Sequence, residues 1–220
     1  MVGIIVELII SWLLLWFFEK KHLTVLGIGI QPKRMRDLGY GLLGAAICCT
    51  VYHMLTTIHW SLHKMISINV IWWVLKSVLF EELAFRGALL YIAIRKLGIT
   101  KACILSALCF GIYHIFSYEV YGNPGTALLV LVITGIIGLT LAYAFANTQT
   151  MYLPIGLHLG WNLINILVFS EGPLGKQLFV KGSSAGLTGI PSLLVFLLQI
   201  FALPLFTAWY LKKFYKKVKL

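Results

Sequence analysis

The chain has 220 residues, of which 60% are hydrophobic and 11% charged, with a mean hydropathy of +0.92. So little charge cannot cover the surface of a water-soluble domain of this size, which excludes a soluble globular protein and leaves a polytopic membrane protein. The net charge of +11 does not indicate nucleic acid. The lysines and arginines lie beside the ends of apolar segments, where they set topology and favour anionic headgroups.

Segments long enough to cross a bilayer as helices predict an all-α transmembrane bundle of about seven spans, forming one membrane-embedded domain over residues 1–220. The first runs from about Gly3 to Phe18 and closes at Glu19-Lys20-Lys21-His22. It lacks a basic n-region and a cleavage site, so it reads as a retained span rather than a signal peptide. Glu7 reads as a carboxylate reaching the interface. A basic connector with Lys33, Arg34 and Arg36 around Pro32 leads to a second span, about Leu38 to Thr56. Its small residues Gly41, Gly44, Ala45 and Ala46 allow close helix packing. The polar link after it carries His59, His63 and Lys64, read as solvated. His53 and Lys76 fit pore-facing or snorkelling groups.

The third span reads as one helix from about Ile68 to Ile94, stopped by Arg95-Lys96-Leu97-Gly98. Thr100 is the expected cap of a fourth span that reaches about Ser117. Asn123-Pro124-Gly125 signals a turn before a fifth span, about Thr126 to Ala146. The sixth covers Met151 to Ser170. A loop rich in glycine and serine separates it from a seventh, about Leu187 to Leu211, and a basic tail holding Lys212, Lys213, Lys216 and Lys217. Cys48, Cys49, Cys103 and Cys109 all fall in apolar spans without zinc-ribbon or redox spacing, and read as small buried hydrophobes. With the N-terminus outside, inner loops carry thirteen lysines and arginines, and outer loops carry only Lys64, Lys176 and Lys181. The positive-inside rule therefore predicts N-out and C-in.

The chemistry concentrates in three spans. Phe80-Glu81-Glu82-Leu83-Ala84-Phe85-Arg86-Gly87 places three charged groups in an apolar helix, where each costs a few kcal/mol. Glu82 and Arg86 share a face and can pair. Glu81 points about 100° away and is available for something else. His114 follows in the fourth span, and His158 and Asn162 share a face in the sixth. Singly, each has a structural explanation: an ion pair, a hydrogen-bonded histidine, an amide joining two helices. Together they make a carboxylate and a histidine able to activate water, with a histidine and an amide able to hold an oxyanion. Glu81, His114 and His158 could also hold zinc that activates the water. An H-E-x-x-H helix is absent, and the residues alone leave the metal and metal-free routes nearly even.

Glu-Glu-Leu-Ala-Phe-Arg (81–86), Phe110-Gly-Ile-Tyr-His114 and His158-Leu-Gly-Trp-Asn162 match E-E-x-x-x-R, F-x-x-x-H and H-x-x-x-N, in that order, on separate spans. The chain thus resembles the CPBP intramembrane proteases, also called the Abi or CAAX-protease family, which includes the type II CAAX prenyl endopeptidase. The motifs cover about Phe80 to Asn162, within a motif-bearing core of about 68–170. The resemblance implies an intramembrane endopeptidase in which Glu81 and His114 activate water, His158 and Asn162 form the oxyanion hole, and Glu82 and Arg86 hold the site in shape. It favours a mechanism requiring no cofactor, with zinc as the alternative. With the N-terminus outside, the Glu81-Glu82 helix runs outward to inward, which suits a cavity open to the cytoplasm. The resemblance further implies a bacterial cell-membrane setting and a small hydrophobic or membrane-anchored peptide substrate, prenylated in the eukaryotic relative. Bacterial members are associated with bacteriocin processing. The main rival is a non-catalytic immunity or scaffold protein that binds peptides in the same fold. A proton-relay transporter is the second.

Overall fold

The computed structural model describes residues 2–63 and 67–215. Lys64, Lys216, Lys217 and Lys219, used above for topology, lie outside them. In chain order the elements are α1 (Val2–Glu19), a short 3₁₀ turn (Leu23–Leu26), α2 (Pro32–Thr56), β1 (Thr57–Leu62), α3 (Ile68–Arg86), α4 (Ala88–Leu97), α5 (Ile99–Ser117), α6 (Pro124–Thr148), α7 (Tyr152–Asn162), a π-helical turn (Leu163–Val168), β2 (Phe179–Ser184) and α8 (Gly189–Phe214).

Among the described residues, five helices, α1, α2, α5, α6 and α8, are long and apolar enough to cross a membrane. The remaining two expected spans are each built from two pieces. The stretch read as one helix from Ile68 to Ile94 breaks at Gly87, whose backbone leaves the helical region at ψ −135°. A side chain there would collide with the Leu83 carbonyl, so only glycine fits the break. The sixth span is α7 continued by the π-helical turn, shorter than its expected end at Ser170. Large apolar side chains such as Trp12, Trp16, Phe17 and Phe18 on α1 stay exposed, as a lipid-facing surface requires.

The helix boundaries follow local chemistry. Asn123 caps α6 by accepting from Thr126 N at 3.1 Å, with Pro124 in the first turn, the arrangement favoured at a helix start. Thr100 does not cap α5. That helix begins at Ile99, with Gly98 at the cap position and φ +80°, a backbone that glycine adopts without strain.

Helices α2 and α7 form the most extensive helix pair, followed by α5 and α6. A Cβ on Gly156 or Gly160 would run into the carbonyls of Leu38 or Leu42, and one on Gly41 would stand 3.0 Å from Leu153 O. Of the small residues read from sequence as packing positions, Gly41 thus meets α7, whereas a Cβ on Gly44 would meet the Phe206 ring of α8. Buried Asp37 joins the start of α2 to the end of α8. It accepts from Tyr210 OH at 2.6 Å and from Tyr215 OH. The core divides into a cluster around Leu15, Leu83, Leu90 and Phe145, one around Ala45, Leu157, Leu203 and Tyr210, and one around Val74, Val78 and Ile166. All four cysteines are free; Cys49 and Cys103 are buried as expected, whereas Cys48 is half-buried and Cys109 is exposed.

Sequence patterning did not anticipate the two-stranded ribbon. β1 pairs antiparallel with β2, with Trp60 opposite Lys181 and Ser61 opposite Val180. The polar link and the glycine- and serine-rich loop thus order each other. His59, read as solvated, is exposed on β1, and Glu7 is half-buried on α1. Its Oε2 is buried without a hydrogen-bond partner.

Candidate active site

Helix α3 supplies Ser77, Glu81, Glu82 and Arg86. Four-residue spacing puts Glu82 and Arg86 on one face, and both are fully buried. Arg86 Nε donates to Glu82 Oε2 at 2.6 Å, and Nη2 donates to Glu82 Oε1. This two-point contact suits the planar guanidinium. Glu82 Oε1 also receives His158 Nδ1 at 2.7 Å. Because this carboxylate is matched by Arg86, it acts as acceptor, and the His158 proton sits on Nδ1. Nε2 is then turned toward Glu81.

His114 is fixed in the same sense. Its Nδ1 lies 2.9 Å from Phe110 O, and a carbonyl can only accept, so Nδ1 carries the proton. The Phe110 ring is shared. Its centroid is 4.3 Å from that of His114, and Arg86 Cζ lies 4.4 Å from it. That packing explains why an aromatic residue stands one turn before the histidine.

The two imidazoles converge on one atom. Glu81 Oε2 is 3.8 Å from His114 Nε2 and 3.8 Å from His158 Nε2. Ser77 Oγ donates to the other oxygen, Oε1, at 3.2 Å. Oε2 itself is buried with no hydrogen-bond partner. Three acceptor atoms therefore meet, and their mutual repulsion is relieved only by a proton or a water among them.

Beside this meeting point lies a cavity of about 310 Å³. His114, His158 and Asn162 line it on one side. Leu129, Ile133 and Ile137 of α6 form an apolar wall. Glu81 is not among the lining residues and reaches the cavity through the two imidazoles. Of the four groups chosen from sequence, three line one cavity and the fourth contacts two of them. The zinc alternative requires a tighter cluster. Zinc–nitrogen and zinc–oxygen bonds near 2.0–2.1 Å imply ligand separations of about 3.3 Å in a tetrahedron. The 3.8 Å spacings are wider, and among the described residues no group of three or more His, Cys, Asp or Glu side chains is arranged to hold a metal ion.

Residues 63–164 match the family model described as Type II CAAX prenyl endopeptidase Rce1-like. The match supports a CAAX (CPBP) family membrane protease. It spans α3 to α7, the elements that carry all three motifs, and ends just past Asn162. No curated protein and no solved structure matches the chain.

Three polar residues of this site were not singled out from sequence. Ser77 precedes Glu81 by one turn, a spacing that could have identified it. Gln199 lines the cavity and is a lone amide within the apolar run of α8, a readable signal on the same ground as Asn162. Asn165 also lines the cavity, but it stands on the π-helical turn, and regular helical spacing places it incorrectly.

Proposed function

We propose that the protein is an intramembrane endopeptidase that hydrolyses a peptide bond in a small hydrophobic or membrane-anchored peptide. The observation that carries this reading is the convergence of Glu81 Oε2 with the Nε2 atoms of His114 and His158 beside a cavity with an apolar wall. A substrate carbonyl in the cavity faces His158 and Asn162. A water held between Glu81 and His114 Nε2 attacks the carbonyl carbon, and its proton passes to Glu81. The developing oxyanion accepts hydrogen bonds from Asn162 Nδ2 and His158 Nε2. The tetrahedral intermediate collapses, the C–N bond breaks, and the proton moves from Glu81 to the departing amine.

The hydrogen bonds restrict the proton inventory. With His158 Nδ1 committed to Glu82, His158 can donate from Nε2 only as an imidazolium. The reacting site then holds Arg86 and His158 as cations against Glu82 and Glu81 as anions. That balance suits a low-dielectric interior, where an unmatched charge is costly. The same neutrality is kept if the proton sits on Glu81 and His158 is neutral. One proton thus serves both groups, and its position on His158 leaves Glu81 as the base. No step requires zinc. Zinc at Glu81, His114 and His158 would require these groups to close from their 3.8 Å spacings, and it would then supply an acidic water.

The test uses detergent-purified protein and a panel of hydrophobic and prenylated peptides, read by mass spectrometry, with Glu81→Gln alongside. Cleavage by the wild type alone supports the assignment, and the cut site names the substrate class. Equal cleavage by both proteins removes Glu81 from the mechanism. Hydrolysis lost with a chelator and restored by zinc would replace the metal-free route. Peptide binding without cleavage would favour a binding protein.

A further inference from the structure

Two further spaces adjoin the cavity on the side of the ribbon. A chamber of about 380 Å³ is lined by Tyr52, His53, Thr56, Asn165, Glu171, Lys181 and Gln199, every one of them polar. It shares Asn165 and Gln199 with the cavity that holds His114 and His158. A shallower space beyond it, which reaches Ser184 and Gly186, again includes Lys181 and Gln199. The shared residues make the three spaces neighbours, running from His114 and His158 toward the ribbon.

The passage is built rather than incidental. His53 is buried, its Nε2 lies 2.9 Å from Asn165 Oδ1, and its ring stacks on Phe169 at 4.3 Å. Asn165 Nδ2 donates to Glu171 O at 2.9 Å, so Oδ1 is free to accept and His53 donates. These contacts hold Asn165 at the junction of the two spaces. Lys181 and Glu171 line the chamber, yet among the described residues they enter no ion pair. Both residues are exposed, so the chamber opens to the surface at this end.

The ribbon also fixes a membrane face. Pairing of β1 with β2 puts the C-terminal end of α2 and the N-terminal end of α8 on the same side. The charge count assigns that side to the exterior, since the loops there hold only Lys64, Lys176 and Lys181. We propose that cavity, chamber and mouth form one water-filled passage, through which water and the polar part of a peptide reach Glu81, His114 and His158 from the outer face. This differs from the cytoplasmic opening expected from the outward-to-inward direction of α3. It rests on the proteolytic reading for the nature of the peptide. That substrate is then amphipathic, with its apolar part against Leu129, Ile133 and Ile137 and its polar flank in the chamber.

The experiment labels single cysteines in full-length protein whose four native cysteines are replaced, using a membrane-impermeant thiol reagent on intact cells. Gln199→Cys and Asn165→Cys report the passage, Ser183→Cys the ribbon and Lys33→Cys the opposite face. The expected result is labelling of Gln199→Cys, Asn165→Cys and Ser183→Cys in intact cells, with Lys33→Cys labelled only after lysis. Labelling of the passage positions together with Lys33→Cys overturns the outer entry. So does a ribbon position that stays shielded until lysis. Passage positions that remain unlabelled in opened membranes, while both references react, show a closed and dry interior and overturn the passage itself. Labelling does not depend on hydrolysis, so a failed peptide assay and a failed entry route are separate results.

Discussion

Glu82 is fully buried, and two donors hold it there, Arg86 through two contacts and His158 through one. Removing the cation should therefore cost more than a lost hydrogen bond. Arg86→Met is expected to lower stability by about 3–5 kcal/mol, because it leaves a buried carboxylate without its counter-ion. Unfolding in detergent measures this, and the Glu82→Met/Arg86→Met double variant should recover part of the loss. Asn162 has a different role. It is only partly buried, and its proposed work is confined to the transition state. Asn162→Ala is expected to reduce kcat by about 10²–10³-fold with little change in KM, the usual effect of deleting one oxyanion donor. A loss confined to KM would reassign Asn162 to substrate binding.

At the scale of helices, α2 and α7 approach closely enough that carbonyls of one face glycines of the other. This contact also places His158, because Gly156 and Gly160 flank it on α7. Gly160→Val is expected to destabilise the protein by about 1–3 kcal/mol, the range for overpacking, and to lower activity as well. Thermal unfolding and hydrolysis, measured together, check it. A stable Gly160→Val protein with full activity would show that the two backbones can separate without moving His158. The break at Gly87 and the π-helical turn after Asn162 are the two departures from regular helix near the site. Both allow short pieces to fill a span, and π-helical turns recur at functional sites.

The whole molecule depends on a contact between residues far apart in the chain. The ribbon ties the end of α2 to the start of α8, while Asp37 ties the start of α2 to the end of α8. Opposite ends of the two helices are thereby linked. Cysteines at Ser61 and Val180, paired across the strands, should form a cross-link on oxidation of the otherwise cysteine-free protein, seen as a mobility shift. Hydrolysis should survive the cross-link, since the two positions lie on the ribbon. Failure to cross-link would mean that the register is wrong, and with it the placement of Lys181 in the chamber.

Composition and hydropathy by themselves determined the membrane bundle, most helix positions and the free cysteines, because the bilayer demands long apolar helices whatever they pack against. Helical spacing determined the Glu82–Arg86 pair, a contact within one helix. Tertiary structure alone decided the rest. Glu81, His114 and His158 come from three helices, and only packing brings their acceptor atoms to one point. Strands β1 and β2 have weak strand signals because each is ordered by the other, over a separation that no local pattern reports. The break at Gly87 reflects a collision with one carbonyl, and Asn165 reaches the cavity from a π-helical turn. Such features arise from distances across the fold, which neither hydropathy nor periodicity contains.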